Sequence, residues 1–466
     1  MLRKPGVTES LARHIVATRW DDIPSQVRHQ AKRSLINFFA VTLAGCRARP
    51  IEITLRSLAD FSGGRQVALI GRAERIDALS AAFLNAASAN VDDFCDTHTA
   101  TVIHPTAPVA GALFSYAGLR PVSGSDLLLA LVLGNEVQAR IGLAMSPSHY
   151  NRGWHITSTC GVFGAAAAIG RLLELNELQM VWALGIAATQ SAGLCECLGT
   201  PAKSVSVGNA ARNGLWSALL AEKGYDGPAE PLAGVQGFYN ALAEEADLSC
   251  ITDAWGDRWE IMATSHKPYP CGFVIHPVLD CGLDWRRDHP AAEVARVVVR
   301  GNPLLGVRAD RPDISTGREA QVSVQHGVAA ALVKGQAGLD QFTDACVQDP
   351  EVLKLRSKVE VFRDERFSTV ATAVEITTTD GKSFKLEQSA ARGCDANPLS
   401  DSDLEAKLRT AASGWNPYYD ATPLIDAIWS VETSADVSKL ASMTAGTSVA
   451  VQKSASLMPR VRHADF

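Results

Sequence analysis

The stretch His266–Pro277, HKPYPCGFVIHP, separates two kinds of sequence. Ahead of it the chain reads as helix after helix. Pro24 stands at an expected first helical turn behind Asp22, and Val27, Ala31, Leu35, Phe38 and Phe39 then recur at helical spacing. Asp77 is an expected N-cap for ALSAAFLNAASANV, and Ser125 for DLLLALVLGNEVQARIGLAM. STCGVFGAAAAIGRLLELN and NELQMVWALGIAATQSAGL read as a further pair of helices. Beyond the stretch, VARVVVRG (Val294–Gly301) and KVEVFRD (Lys358–Asp364) read as strands, with the helical REAQVSVQHGVAAALVKG between them. TAVEITTTDGKSFKLEQ reads as a hairpin turning at Asp380-Gly381. The helical pattern returns at LSDSDLEAKLRTAAS, with Asp401 or Ser402 as its cap. The expected fold class is therefore mostly α with an inserted α+β domain. A large helical domain takes residues 1–265 and 397–450, the α+β domain takes 266–396, and 451–466 form a poorly ordered tail.

Composition narrows the function classes. The chain is 47% hydrophobic but only 6% aromatic, which suits closely packed helices with small residues at their contacts. The small-residue run GVFGAAAAIG is one such face, able to pack tightly against a helix of a second copy. A net charge of -6 gives no basic patch, so no nucleic-acid partner is expected. The first twenty residues carry charges throughout and no apolar core of a signal peptide. The apolar runs DLLLALVLG and CGVFGAAAAIG reach about half of the roughly 20 residues a membrane span needs. A soluble, cytoplasmic protein without a membrane partner is expected, and ten scattered cysteines fit reduced thiols better than a disulfide framework.

Against this plain background, Asp92–Val109, DDFCDTHTATVIHPTAPV, packs three aspartates, two histidines and four threonines together. Three readings are open. Asp92-Asp93-Phe94-Cys95-Asp96 matches D-D-x-x-D, which on a helix puts Asp92 and Asp96 on one face, the pattern with which all-helical isoprenoid synthases hold magnesium against diphosphate. Such sites need a second acidic motif and an aromatic pocket, and the chain offers neither. Asp93, Asp96, His98 and His104 are the residue types of a zinc or iron site, at a spacing that matches no standard motif. The third reading is a surface loop with helix-capping aspartates. Further clusters follow: His155 in RGWHITSTCGVFG, Lys203 and Arg212 in LGTPAKSVSVGNAARNGL, and Lys267 and His276 in the opening stretch.

Together, and in this order, these elements resemble the MmgE/PrpD family, which includes 2-methylcitrate dehydratase, cis-aconitate decarboxylase and iminodisuccinate epimerase. Its D-x-x-D-T-H…H-P element is met by Asp93, Asp96, Thr97, His98, His104 and Pro105. Its G-W/F-H-x-T/S element is met by Gly153, Trp154, His155 and Thr157. Its G-T-x-x-K…G-x-A-A-R-N-G element is met by Gly199, Thr200, Lys203, Gly208, Ala210, Ala211, Arg212, Asn213 and Gly214, and its K-x-[FWY]-P element by Lys267, Tyr269 and Pro270. The resemblance runs from the Pro24 helix to SDLEAKLRTAAS. It implies a homodimer, a smaller α+β lid on a helical domain, an active site in the cleft between them, and small di- or tricarboxylic acid substrates.

Such substrates must lose a proton or CO₂ from carbon beside a carboxylate, through an enolate-like intermediate. The enzyme therefore needs cations at the carboxylate and a base at the carbon. His104, His155, Asp93, Lys203 and Lys267 are the expected catalytic residues; Thr97, Arg212, His326 and Thr200 are expected to bind substrate. A turn at Gly208 is expected to add backbone N–H groups at a helix start. No cofactor motif is present and none is required, and no metal is expected. Decarboxylases of the family resemble K-x-F-P-A-H at the junction; here the histidine's position is Gly272, and His326 stands where they carry tyrosine. Dehydration is the expected reaction. Epimerisation, decarboxylation and non-catalytic carboxylate binding are the alternatives.

Overall fold

The computed structural model describes residues 6–446. Its principal helices are α1 (Val7–Ala17), α2 (Ser25–Gly45), α3 (Ala78–Asn90), α4 (Thr106–Ala117), α5 (Gly124–Leu143), α6 (Ile156–Leu172), α7 (Glu177–Ala188) and α8 (Ala202–Glu222). After the junction come α9 (His276–Asp288), α10 (Pro303–Arg308), α11 (Val324–Lys334) and α12 (Asp401–Trp415). Most helix starts follow the expected chemistry. Asp77 is extended and accepts a bond from the Ser80 amide, so α3 begins at its expected cap. Two caps differ. Ser123, not Ser125, caps α5 by accepting from the Asp126 amide, which places Ser125 inside the first turn. Ser400, not Asp401 or Ser402, caps α12 in a reciprocal capping box with Asp403. Pro24 precedes α2 as its cap residue.

The helical core draws on two separated parts of the chain, Leu11–Ile261 and Leu399–Ala441. Helix α6 is its centre: every residue from Ile156 to Gly170 is buried. It lies between α5 and α8, and small residues allow the approach. A Cβ on Gly214 of α8 would stand 2.4 Å from the Ala165 side chain and 2.7 Å from the Val162 carbonyl. The small face of GVFGAAAAIG is thus used up inside the subunit and is not available to a second copy. Gly208 is likewise no turn. It lies inside α8, where an added Cβ would meet Phe83 at 2.9 Å.

The second core, Tyr269–Ile376, belongs to the α+β unit. A two-stranded pair in the helical part, β1 (Asp96–His98) with β2 (Thr264–His266), precedes its sheet in chain order. The sheet strands are β3 (Val294–Gly301), β4 (Val359–Arg363), β5 (Thr372–Thr378) and β6 (Ser383–Gln388), in the order β4-β3-β5-β6. β3 pairs parallel with β4; the β3–β5 and β5–β6 pairs are antiparallel. Burial alternates strictly along β5, and α9 packs against β5 and β6. The expected helix REAQVSVQHGVAAALVKG is broken: a short turn of helix over Gly317–Ala320 ends, and Ser323 restarts α11 by capping the His326 amide.

The acidic stretch and the junction meet in the β1–β2 pair, with Thr97 opposite Ser265. Residues 92–105 are therefore not helical, and Asp92 and Asp96 share no helix face. Among the described residues no helix is long and apolar enough to cross a membrane. The expected tail, 451–466, lies outside the described residues.

Candidate active site

Between the helical core and the α+β unit lies a cavity of about 120 Å³. Its floor is Asp93, Thr97, His104, Lys203 and Lys267; Tyr150, Val102 and Leu198 continue the helical side; Gly272, Phe273, Val274, Leu304, Arg308, Ala309, Arg311 and Val322 close it from the other unit. The pairing of β1 with β2 brings Asp93 and Lys267 together although 174 residues separate them.

Asp93 is the hub. Its backbone is left-handed, φ 51°, a conformation Asp tolerates better than most residues. One carboxylate oxygen accepts from Lys203 Nζ, and the other lies 3.2 Å from Lys267 Nζ. Lys267 Nζ also donates to the carbonyls of Asp93 at 3.0 Å and Cys271 at 3.1 Å. Burial alone would raise the Asp93 pKa, but Lys203, Lys267 and His104 hold it well below the usual carboxylate range. A carboxylate so held is a weak base and a good anchor for the two lysines.

His104 has the opposite character. Its Nδ1 lies 2.8 Å from the Asp96 carbonyl, which can only accept, so Nδ1 carries the proton. Thr97 Oγ1 lies 3.1 Å from the same nitrogen. Nε2 is then a free lone pair, 3.8 Å from Asp93 Oδ1. Burial, then Lys203 and Lys267, hold the His104 pKa well below the ordinary imidazole value. The ring is neutral and ready to accept a proton. Burial also lowers the Lys203 pKa, with Asp93 opposing. Beside the ring, Val102 is left-handed at φ 57°, a strained setting for a β-branched residue at a cavity wall.

The remaining expected residues lie elsewhere. His155 caps the start of α6, with Nδ1 3.2 Å from the hydroxyls of both Ser158 and Ser206. Burial pushes its pKa down to about 3, and it is not part of the wall. Thr200 is exposed and donates to the Cys197 carbonyl. Arg212 is more than two turns along α8 from Lys203, beside the Phe83 ring. His326 is buried in the core of the α+β unit, its Nε2 2.7 Å from the Gln341 carbonyl. The structure does not bring His155, Thr200, Arg212 or His326 to the cavity wall. In turn it adds Tyr150, Arg308 and Arg311, which no spacing in the sequence marks. It also places Lys407 of α12 under the floor, where Nζ donates to Asn37 Oδ1 at 2.7 Å and to the Phe94 and Lys267 carbonyls at 2.8 Å.

Two of the four donors of the zinc or iron reading, Asp93 and His98, are engaged otherwise. Asp93 faces two ammonium groups, and His98 is held by Thr101 at 2.8 Å and Glu260 at 3.3 Å. Among the described residues no three His, Cys, Asp or Glu side chains are grouped to hold a metal ion.

Fold and cavity define a two-domain protein with a cationic acid–base cleft between a helical core and an α+β lid. The chain belongs to the MmgE/PrpD family: residues 9–251 match its N-terminal domain and 269–431 its C-terminal domain. It is 28% identical to a cis-aconitate decarboxylase-like protein of Aspergillus oryzae, over 95% of this chain and 98% of that one. It is also 28% identical to human cis-aconitate decarboxylase, over 95% of each chain. Similarity to 2-methylcitrate dehydratase of Escherichia coli K12 is weaker, 22% over 67% of this chain and 70% of the relative.

Proposed function

We propose that this protein is a lyase that removes a proton from carbon beside a carboxylate of a small di- or tricarboxylic acid, and completes a dehydration. The observation that carries the reading is the neutral His104 whose unprotonated Nε2 faces a cavity floored by two lysines. In this scheme His104 Nε2 takes the proton. Negative charge builds on the adjacent carboxylate, which Lys203 and Lys267 at the cavity floor stabilise. Asp93 holds both ammonium groups in place. Lys203, its pKa lowered by burial, donates a proton to the departing hydroxyl.

Decarboxylation is the second reading, and similarity to decarboxylases over nearly the whole chain favours it. It needs a proton donor at the carbon that loses CO₂. Where the K-x-F-P-A-H pattern of decarboxylases has its histidine, the wall has Gly272, and a Cβ there would find no atom nearer than 3.7 Å. Epimerisation needs a second base on the opposite face, and among the described residues the wall holds one imidazole. The test is incubation in D₂O with hydroxy-acids, unsaturated acids and amino-diacids. Loss of water from a hydroxy-acid is expected, with deuterium entering beside the carboxylate only in the reverse hydration of an unsaturated acid. CO₂ release would favour decarboxylation, deuterium uptake without net conversion would favour epimerisation, and no reaction across the panel would leave a carboxylate-binding protein.

A further inference from the structure

Two lid arginines face the cavity with their charge uncompensated. Arg308 ends α10 and Arg311 follows three residues later, and both line the wall opposite the lysines. Among the described residues neither guanidinium makes an ion pair or donates a side-chain hydrogen bond, and Arg308 Nε is buried without a partner. Each nevertheless rests on the helical domain. The Arg308 guanidinium stacks 4.6 Å above the Tyr150 ring. Arg311 lies against Gly199, whose φ of +82° and missing Cβ, which would stand 3.2 Å from Arg311 Nη1, leave room for it. Guanidinium groups without a protein acceptor, held at a cavity wall, suit a planar anion with two oxygens. Lys203 and Lys267 at the floor are paired with Asp93, and in the proposed function they take the carboxylate beside the reacting carbon.

We infer that Arg308 and Arg311 bind the substrate carboxylate farthest from the reacting carbon, and that this pair selects acids bearing a second carboxylate. The inference rests on the proposed function, in which the ligand is a small carboxylic acid. The lid then takes part in recognition, because the far carboxylate ties α10 to a floor built by the helical domain.

The test compares glutarate with glutaramate, its near-isosteric monoamide, by calorimetric titration of the full-length protein. The wild type is expected to bind glutarate at least about 10-fold more tightly, since a charge-assisted hydrogen bond is worth that much or more. In the double variant Arg308→Gln/Arg311→Gln, the preference should fall to about 1 while glutaramate affinity stays within about twofold. Arg308→Lys/Arg311→Lys should keep part of the preference, because charge remains but the fork is lost. An unchanged preference in the glutamine variant, or equal weakening of both ligands, overturns the inference and leaves the carboxylic-acid reading standing. If neither compound binds the wild type at millimolar concentration, that reading falls and takes this one with it.

Discussion

At the residue scale, the site sets His104 against Asp93: burial and two lysines keep the ring neutral, and the same lysines keep the carboxylate charged. His104→Gln preserves shape and removes the titrating nitrogen, so kcat should fall by about 10²–10⁴ while KM changes little. On the proposed scheme Lys203→Met should raise KM as well as lower kcat, because its ammonium would hold the bound acid before its proton leaves with the hydroxyl. The pH profile carries a sign. Because the His104 pKa lies well below 6.5, its base form persists as pH falls through that value, and the acid limb of kcat/KM should lie below 6.5. Removing the Lys203 charge relieves one cause of that depression, so in Lys203→Met the limb should move upward. A wild-type limb at or above 6.5 would contradict the assignment. The motifs marked the five floor residues because each carries its chemistry in its own side chain. They also marked His155, Thr200, Arg212 and His326, which do not line the cavity, because reach depends on helix phase and on how the lid packs. Arg308 was invisible for the complementary reason: a lone arginine ending PLLGVR looks like any solvated helix end.

At the element scale, periodicity and turn chemistry were legible. Val294–Gly301 is a strand at the expected bounds, and the Asp380-Gly381 hairpin is present. Cap positions slipped by one or two residues because several nearby polar residues could each cap, and only backbone dihedrals distinguish them. The tight seam between α6 and α8 yields a prediction: Gly214→Ala drives a methyl into Ala165 and should cost about 1–3 kcal/mol in denaturant unfolding. Lys407 yields another. It is buried, packs 3.6 Å over the Phe94 ring, and donates to three acceptors at once. Lys407→Met strands those acceptors and should lower stability by about 3 kcal/mol or more.

At the scale of the whole molecule, two cores built from three chain segments meet at one cleft. The homodimer implied by family resemblance stands as a proposal, and it must use a surface other than α6, which is enclosed within its own subunit. Sedimentation at micromolar concentration should give twice the 49.6 kDa mass of the chain; a monomer would refute the proposal. The packing of α12 on α2 has a further consequence, one of timing. On the ribosome α2 emerges early, yet the helix that covers it is made only after the lid. At roughly 5–20 residues per second, the face of α2 that α12 covers stands open for on the order of half a minute. During synthesis the nascent helical domain must keep that apolar face out of solution by other means, and a message truncated after the lid would leave it permanently bare. Protein quality control would meet such a fragment as an unfinished product, however well its earlier helices had formed.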